Sequence, residues 1–301
     1  MKKFLVVIAG PTASGKTVLA IEAALQFKTE IISADSRQFF REMNIGTAKP
    51  TDGQLSKVKH HFINFLSIHD SYDAGKYEND ALNQLDRLFS KKDIVILTGG
   101  SGLYIDAVCN GFDRLPERDE NLRKQLVEIF MRKGISALRE KLKSLDEKYY
   151  TQVDLNNHQR LMRAIEVCVL TGKKYSELRH RKKTPRSFSV IKFGLEVERK
   201  ILYDRINSRV EEMVNNGLIE EAKALYPFRK LNSLQTVGYK ELFSFFEGRT
   251  SLEEAVYLIQ RNTRRYAKRQ LTWFRKDREI TWLNSQSKKE IISWIERKVK
   301  N

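Results

Sequence analysis

Residues 10 to 17 read Gly10-Pro11-Thr12-Ala13-Ser14-Gly15-Lys16-Thr17, a G-x-x-x-x-G-K-[ST] loop. That spacing suits one task, gripping a di- or triphosphate. Gly10 and Gly15 let the backbone turn tightly. Successive N–H groups then converge at the positive end of a helix, where phosphate oxygens are favoured. Lys16 adds a point charge for the outer phosphates, and Thr17 offers a hydroxyl to Mg2+. The context is right for such a loop. An apolar run, Phe4 to Ala9, precedes it, and an amphipathic stretch, Val18 to Phe27, follows it.

Phosphoryl-transfer enzymes with this loop commonly carry an Asp at the end of a later buried strand, where it holds Mg2+. Here the obvious later strand ends Thr98-Gly99-Gly100-Ser101, with no acid. Asp35 ends an earlier one, in Ser33-Ala34-Asp35-Ser36-Arg37-Gln38. The carboxyl ends of parallel strands open onto the ligand crevice of an α/β sheet, so Asp35, Ser101 and the phosphate loop are expected to converge there. Asp35 can hold Mg2+ through water, act as a general base, or cap the following turn.

The elements that must position these residues follow from periodicity. Phe4–Ala9, Glu30–Ala34 and Asp93–Thr98 are short runs rich in β-branched residues, separated by helical stretches at Val18–Phe27 and Glu78–Ser90. Such runs suit strands buried on both faces of a parallel sheet. From Glu120 to Leu178 the pattern is helical throughout, carried by Leu122, Leu126, Leu138, Leu142, Leu161, Ile165 and Val169. Ser187–Val197 then reads as a strand returning to the sheet, followed by long helices at Arg199–Asn215 and Leu252–Arg275 and a short strand at Glu279–Leu283. The expected fold is α/β: a P-loop NTPase-like parallel sheet flanked by helices over residues 1–112 and 187–301, with an all-helical insertion at 113–186.

The net charge of +17 is unevenly spread. Residues 1–112 carry +1, residues 113–186 carry +8 and residues 187–301 carry +8. The phosphate-binding segment is nearly neutral, and the excess downstream points to a polyanionic partner. Arg261 to Arg278 holds eight basic residues and one acid. Arg261, Arg264, Arg265, Lys268 and Arg275 lie on one side at helical spacing, and Leu258, Asn262, Tyr266 and Trp273 lie on another that can pack on the core. A second basic run is Arg179-His180-Arg181-Lys182-Lys183. The two cysteines, Cys109 and Cys168, form no C-x-x-C pair, so neither zinc nor a disulfide framework is suggested and a reducing compartment fits. No stretch approaches the ~20 apolar residues of a membrane span.

The motifs, taken in order, resemble one family. They are the phosphate loop, Ser33 to Gln38, Ile45-Gly46-Thr47-Ala48-Lys49-Pro50, His60-His61, Gly99 to Tyr104, Arg163-Ala164-Ile165-Glu166, Gly238-Tyr239-Lys240-Glu241, and Arg264 to Arg275. This ordered set is similar to the tRNA dimethylallyltransferases, also called tRNA isopentenyltransferases. The resemblance implies prenyl rather than phosphoryl transfer. A dimethylallyl group would move from its diphosphate to N6 of adenosine 37, 3′ of the anticodon, in tRNA. It implies Asp35 as base, Ser101 as the hydroxyl residue beside it (usually Thr in the family, with Thr98 as a substitute), Gly10 to Thr17 on the diphosphate, and Mg2+ on Thr17. Arginines near Arg205 and Arg209 approach the diphosphate in the family. Arg209 is the favoured one here, although a salt bridge to Glu212 or Glu198 suits it equally. Contact with tRNA is implied for Asp35, Ser36, Arg37, Gln38, Ser101, Arg123, Gln159, Arg160, Leu161, Met162 and Arg163, and the basic segment adds Arg265 and Lys268. The target base must leave its stack to reach such a site. His60 and His61 are read as structural or close to tRNA, since neighbouring side chains diverge. Eukaryotic relatives add a zinc finger, so on that count the chain is similar to the bacterial form, expected as a cytoplasmic monomer. Two other readings stand beside this one: an adenylate isopentenyltransferase acting on free nucleotide, which would not need the downstream charge, and a P-loop nucleotide kinase or nucleotide-switched RNA binder.

Overall fold

The computed structural model describes residues 2–113, 115–180, 183–284 and 287–300. In chain order the strands are β1 (Phe4–Ala9), β2 (Ile31–Ser33), β3 (His60–His61), β4 (Ile94–Gly99), β5 (Ser189–Glu196) and β6 (Thr281–Asn284). The helices are α1 (Lys16–Gln26), α2 (Asp52–Leu55), α3 (Ala74–Phe89), α4 (Gly102–Asn110), α5 (Glu120–Leu145), α6 (Glu147–Tyr150) and α7 (His158–Thr171). They continue with α8 (Tyr175–Leu178), α9 (Arg199–Asn215), α10 (Leu218–Leu225), α11 (Tyr239–Phe246), α12 (Leu252–Phe274) and α13 (Lys288–Lys300). The chain divides into two compact units, Met1–Cys109 with Arg186–Asn301, and Asn110–Pro185.

The first unit holds one sheet in the order β3-β2-β4-β1-β5-β6, parallel throughout. β1 lies between β4, with Phe4 opposite Ile94 and Ala9 opposite Gly99, and β5, with Phe4 opposite Ser189. All six β1 residues are buried. Alternation sends Leu5, Val7 and Ala9 to a layer shared with Leu85 of α3 and Val108 of α4. Val6 and Ile8 go to the opposite layer, with Leu19 of α1 and Ile295 of α13. Burial on both faces is why these strands read as unbroken apolar runs. A third core joins Val210, Leu218, Tyr239, Leu242 and Ile259 of α9 to α12 to Phe40 and Met43 of the loop after β2.

The strands fall on the expected runs, with β2 shorter than Glu30–Ala34 and β6 shifted to Thr281–Asn284. His60–His61, read as structural or close to tRNA, is a two-residue edge strand paired with Ile31 and Ile32. The sequence pattern did not announce α4, α10, α11 or α13.

The second unit is helical. Its core gathers Leu126, Leu138, Leu142, Leu161, Met162 and Ile165. Val169, expected on the inner face of α7, instead points outward at 46% exposure. Helix α5 breaks at Gly134, whose φ of 70° and ψ of −173° no helix contains. Buried Asp146 ties the unit together, accepting the Tyr149 N–H at 2.9 Å and the Ser176 N–H at 2.6 Å. Arg181 and Lys182 of the second basic run lie outside the described residues.

Candidate active site

β1 delivers the chain to the phosphate loop at the carboxyl edge of the sheet. Left-handed backbone at Ala13 (φ 62°) and Gly15 (φ 92°) turns the loop inward on itself. Only glycine takes that conformation at little cost, so Ala13 is a local strain that the loop tolerates. α1 begins without a side-chain cap, which leaves its first N–H groups open to an anion. Lys16 Nζ donates to the Pro11 carbonyl at 2.6 Å. The Ser14 hydroxyl is buried without a hydrogen-bond partner among the described residues.

A cavity of about 1480 Å3 opens against this loop. Thr12 to Thr17 line it, together with Asp35, Ser36, Arg37 and Gln38 after β2, Thr98 to Gly100 at the end of β4, Arg209 of α9, and Arg265, Tyr266 and Arg269 of α12. Gly10, Pro11 and Ser101 are not on its wall. The Ser101 hydroxyl is instead engaged with Ser36, accepting its N–H and donating to its Oγ, each at 3.1 Å. The substitute, Thr98, donates its hydroxyl to the Ile8 carbonyl at 3.2 Å.

Asp35 caps the turn that follows it, since Oδ1 accepts the Arg37 N–H at 3.1 Å. Oδ2 faces Gly100, 3.9 Å from where a side chain there would begin. Burial pushes the Asp35 carboxyl above its ordinary range, and the Arg37 N–H and the Lys16 ammonium oppose the shift. Burial also lowers Lys16 to about 7, against the attraction of Asp35 and with the repulsion of Arg209. Arg209 donates Nη1 to Thr12 Oγ1 at 3.4 Å, while Arg205 on the same helix is exposed. The Arg37 guanidinium is anchored on the Asn232 and Ser233 carbonyls at 3.1 and 2.8 Å. Gln38 Nε2 donates to the Thr47 and Ala48 carbonyls, each at 3.2 Å.

The two faces of α12 differ from expectation. Its buried stripe is Ala255, Ile259, Ala267, Gln270 and Phe274. Leu258, Asn262 and Tyr266, expected to pack on the core, line the cavity, and Trp273 is 39% exposed. Arg265 and Lys268 are exposed, whereas Arg264 is half-buried and donates to Asn207 at 2.5 Å. In the helical unit Gln159 and Arg160 are exposed, but Leu161 and Met162 are buried in the core, so their side chains offer nothing to an RNA. Buried Glu166 accepts Arg123 Nη1 at 3.0 Å and lies 3.6 Å from Arg163 Nη1.

His60 Nδ1 faces the Val58 carbonyl at 2.8 Å and His61 Nε2 faces Glu30 at 2.6 Å, so the two rings diverge. Among the described residues no three His, Cys, Asp or Glu side chains cluster as a metal site. Both cysteines are free and buried. No helix among the described residues is long and apolar enough to cross a membrane.

Sequence reasoning missed two organising side chains. Glu221 of α10 accepts the N–H groups of Asn44, Ile45 and Gly46 at 2.8 to 2.9 Å and the Tyr239 hydroxyl at 2.7 Å, fixing the loop that forms the far wall. Gln270 touches both the phosphate loop and the β4 turn. Gln270 lies inside the Arg264–Arg275 motif, but the helical face read from the sequence, Leu258, Asn262, Tyr266 and Trp273, excludes it.

A phosphate loop facing a raised carboxyl, with no acid at the end of β4, suits a transferase that uses a diphosphate rather than an enzyme of phosphoryl transfer. The IPP transferase family model matches residues 38–277, and the chain belongs to that family. It is 51% identical over 300 residues to a tRNA dimethylallyltransferase from Christiangramia forsetii, with 99% of each chain covered. It is 48% identical over 306 residues to one from Flavobacterium johnsoniae, again over 99% of each. Among solved structures it resembles the full-length tRNA isopentenylpyrophosphate transferase from Bacillus halodurans, with a TM-score of 0.73, 37% identity, and 100% and 97% of the two chains covered. It also resembles a eukaryotic dimethylallyltransferase acting on tRNA, with a TM-score of 0.78, 26% identity, and 94% and 74% covered.

Proposed function

We propose that this chain transfers a dimethylallyl group from dimethylallyl diphosphate to N6 of adenosine 37 in tRNA and releases diphosphate. The observation that carries this reading is the cavity shared by the phosphate loop and Asp35. An exocyclic amine is a poor nucleophile, because its lone pair is delocalised into the adenine ring. As the N6–C1 bond forms, a proton leaves N6 for the Asp35 carboxylate, whose raised pKa makes it a stronger base than an ordinary Asp. The allylic C–O bond breaks at the same centre, and its electron pair leaves with the diphosphate. Loop N–H groups, Lys16, Arg209 and the unpartnered Ser14 hydroxyl receive that charge.

The donors suit a hard cation that keeps water and substrate oxygens as ligands, since Thr17 offers one hydroxyl and no imidazole or thiolate cluster competes among the described residues. Mg2+ held by Thr17 would supply further neutralisation of the leaving diphosphate. Ser101 acts through Ser36, holding the turn that carries Asp35. The charge of residues 113–301 and the outward-facing Arg160, Arg265 and Lys268 favour tRNA over a free nucleotide as acceptor. In this reading the enzyme works in the cytoplasm as a monomer, with the helical unit 113–186 contributing tRNA contacts.

Labelled dimethylallyl diphosphate incubated with tRNA or with AMP tests the proposal. Label in tRNA and none in AMP is expected. Transfer to AMP alone would replace it with the free-nucleotide reading, and tRNA-stimulated ATP hydrolysis without prenyl transfer would replace it with a nucleotide-switched RNA binder.

A further inference from the structure

Gln270 is 5% exposed, and its side chain hydrogen-bonds both the phosphate loop and the turn after β4. Its Oε1 accepts the Thr12 N–H at 2.8 Å, and its Nε2 donates to the Gly100 carbonyl at 2.9 Å. One amide therefore spans from the phosphate loop to the turn after β4. The fit leaves no slack, because a Cβ at Gly100 would lie 2.2 Å from Gln270 Nε2. One turn further along α12, Trp273 crowds Gly102 in the same way, with a Cβ there 2.2 Å from Trp273 Cδ1. Ser101 is thus held between two glycines against α12. Ser101 in turn holds Ser36, next to Asp35.

We infer that Gln270 is a positioning residue for transfer, setting the distance between the loop that grips the diphosphate and the turn after β4, whose Ser101 holds Ser36 beside the base. This rests on the function proposed above. The reaction needs N6 and the allylic carbon in near contact, and a misplacement of about 1 Å costs roughly 10²-fold in rate. The loop and the base follow different strands, and the Gln270 amide bonds the loop directly and the base's turn by way of the β4 turn, where Ser101 holds Ser36. A primary amide suits the task because it pairs an acceptor with a donor on one rigid plane. Turned over, it would set NH2 against an N–H and oxygen against a carbonyl.

That polarity supplies the test. Gln270→Leu removes both bonds at similar size. Gln270→Glu keeps the shape and still accepts from Thr12, but an ionised carboxylate faces the Gly100 carbonyl. Once protonated, the introduced carboxyl can donate there and restore both hydrogen bonds. The charged and titratable groups around this position are Asp35, Lys16, Arg37, Arg209, Tyr266 and Arg269. All are retained in both variants, and because a new carboxylate also raises Asp35 and Lys16, the Gln270→Glu ratio is read against the Gln270→Leu ratio, which carries no new charge. For Gln270→Leu the expected result is a kcat lowered about 10²-fold at every pH, with tRNA affinity within a few-fold of wild type. For Gln270→Glu the deficit should be similar at pH 8 and shrink steadily as pH falls. The inference is overturned if Gln270→Leu keeps kcat within threefold of wild type, or if Gln270→Glu shows a deficit of the same size at every pH. A Gln270→Glu ratio near one throughout would mean that the buried carboxyl stays protonated and keeps both bonds, which agrees with the inference. Should the leucine variant fail to fold, the pH trend of the glutamate variant decides alone. A wild-type enzyme without prenyl transfer would instead refute the proposed function, a result distinct from either outcome.

Discussion

The α-carbon of Gly99 faces the Ala34 carbonyl so closely that a methyl group there would lie 2.2 Å from its oxygen. The same carbonyl accepts the Ser101 N–H at 3.1 Å, and the Ala34 N–H reaches the Thr98 carbonyl at 2.7 Å. The ends of β2 and β4 are thereby locked one residue before Asp35. Gly99→Ala should lower stability by about 3 kcal/mol through overpacking against backbone. It should also lower kcat more than it weakens dimethylallyl diphosphate binding, because the phosphate loop is not displaced directly. Denaturant unfolding and steady-state kinetics check both, and a neutral variant would mean that the strand ends adjust freely.

Asp35→Ala should lower prenyl transfer by roughly 10² to 10⁴, the range for a lost general base, with tRNA affinity within a few-fold of wild type. The wild-type rate should carry an acid limb. The base works only when ionised, and burial raises its pKa, so activity falls as pH drops and begins to fall above the ordinary Asp range. A kcat profile flat down to pH 4, or a tenth of the activity retained in the variant, would reduce Asp35 to a cap.

Lys16 sits at about 7 in the free site. A bound diphosphate favours the ammonium and raises that value, so binding takes up a proton at alkaline pH. Affinity for dimethylallyl diphosphate should therefore hold up to about pH 7 and then weaken, by up to about tenfold per unit, until pH reaches the raised value of the complex. Lys16→Arg keeps a permanent charge and should flatten this dependence. Calorimetric titration in buffers of different ionisation enthalpy counts the proton directly. No uptake at pH 8 would show that the amine is already charged.

Binding of tRNA should depend steeply on salt. Arg265 and Lys268 project from α12, and every phosphate that loses its cationic partner should lower the log–log slope by about 0.7 to 0.9. The double variant Arg265→Ala, Lys268→Ala should flatten that slope and raise the apparent Kd for tRNA. Unchanged slopes would return these residues to an ordinary solvated face.

The strands that position the site were legible because the sheet is buried on both sides. Phe4–Ala9 and Ile94–Leu97 are apolar along their length until the chain nears the crevice, and the change at Gly10 and at Thr98-Gly99 marks its edge. β3 was not legible, since two half-buried histidines carry no period. Helices α10 and α11 are eight residues each and draw their stability from a shared core rather than from their own pattern. On α12 the periodicity was right and the face was wrong. Leu258, Asn262 and Tyr266 look like a core stripe because a ligand cavity demands the same mixed, semi-apolar lining as a loosely packed interior.

The strut between Thr12 and Gln270 joins positions 258 residues apart, and the clamp between Gly46 and Glu221 joins positions 175 apart. Translation reaches the phosphate loop almost at once but supplies its opposite wall near the end. Between them the ribosome must also extrude the 110–185 unit before β5 can join β1. A nascent chain stalled before Leu252 thus carries the loop sequence with no α12 beside it, and it should not retain labelled dimethylallyl diphosphate on ribosome pelleting, whereas the released chain should. Retention by the stalled chain would show that the loop closes on its own. On that expectation substrate capture belongs to the finished polypeptide, and premature termination should give products that do not sequester the prenyl donor.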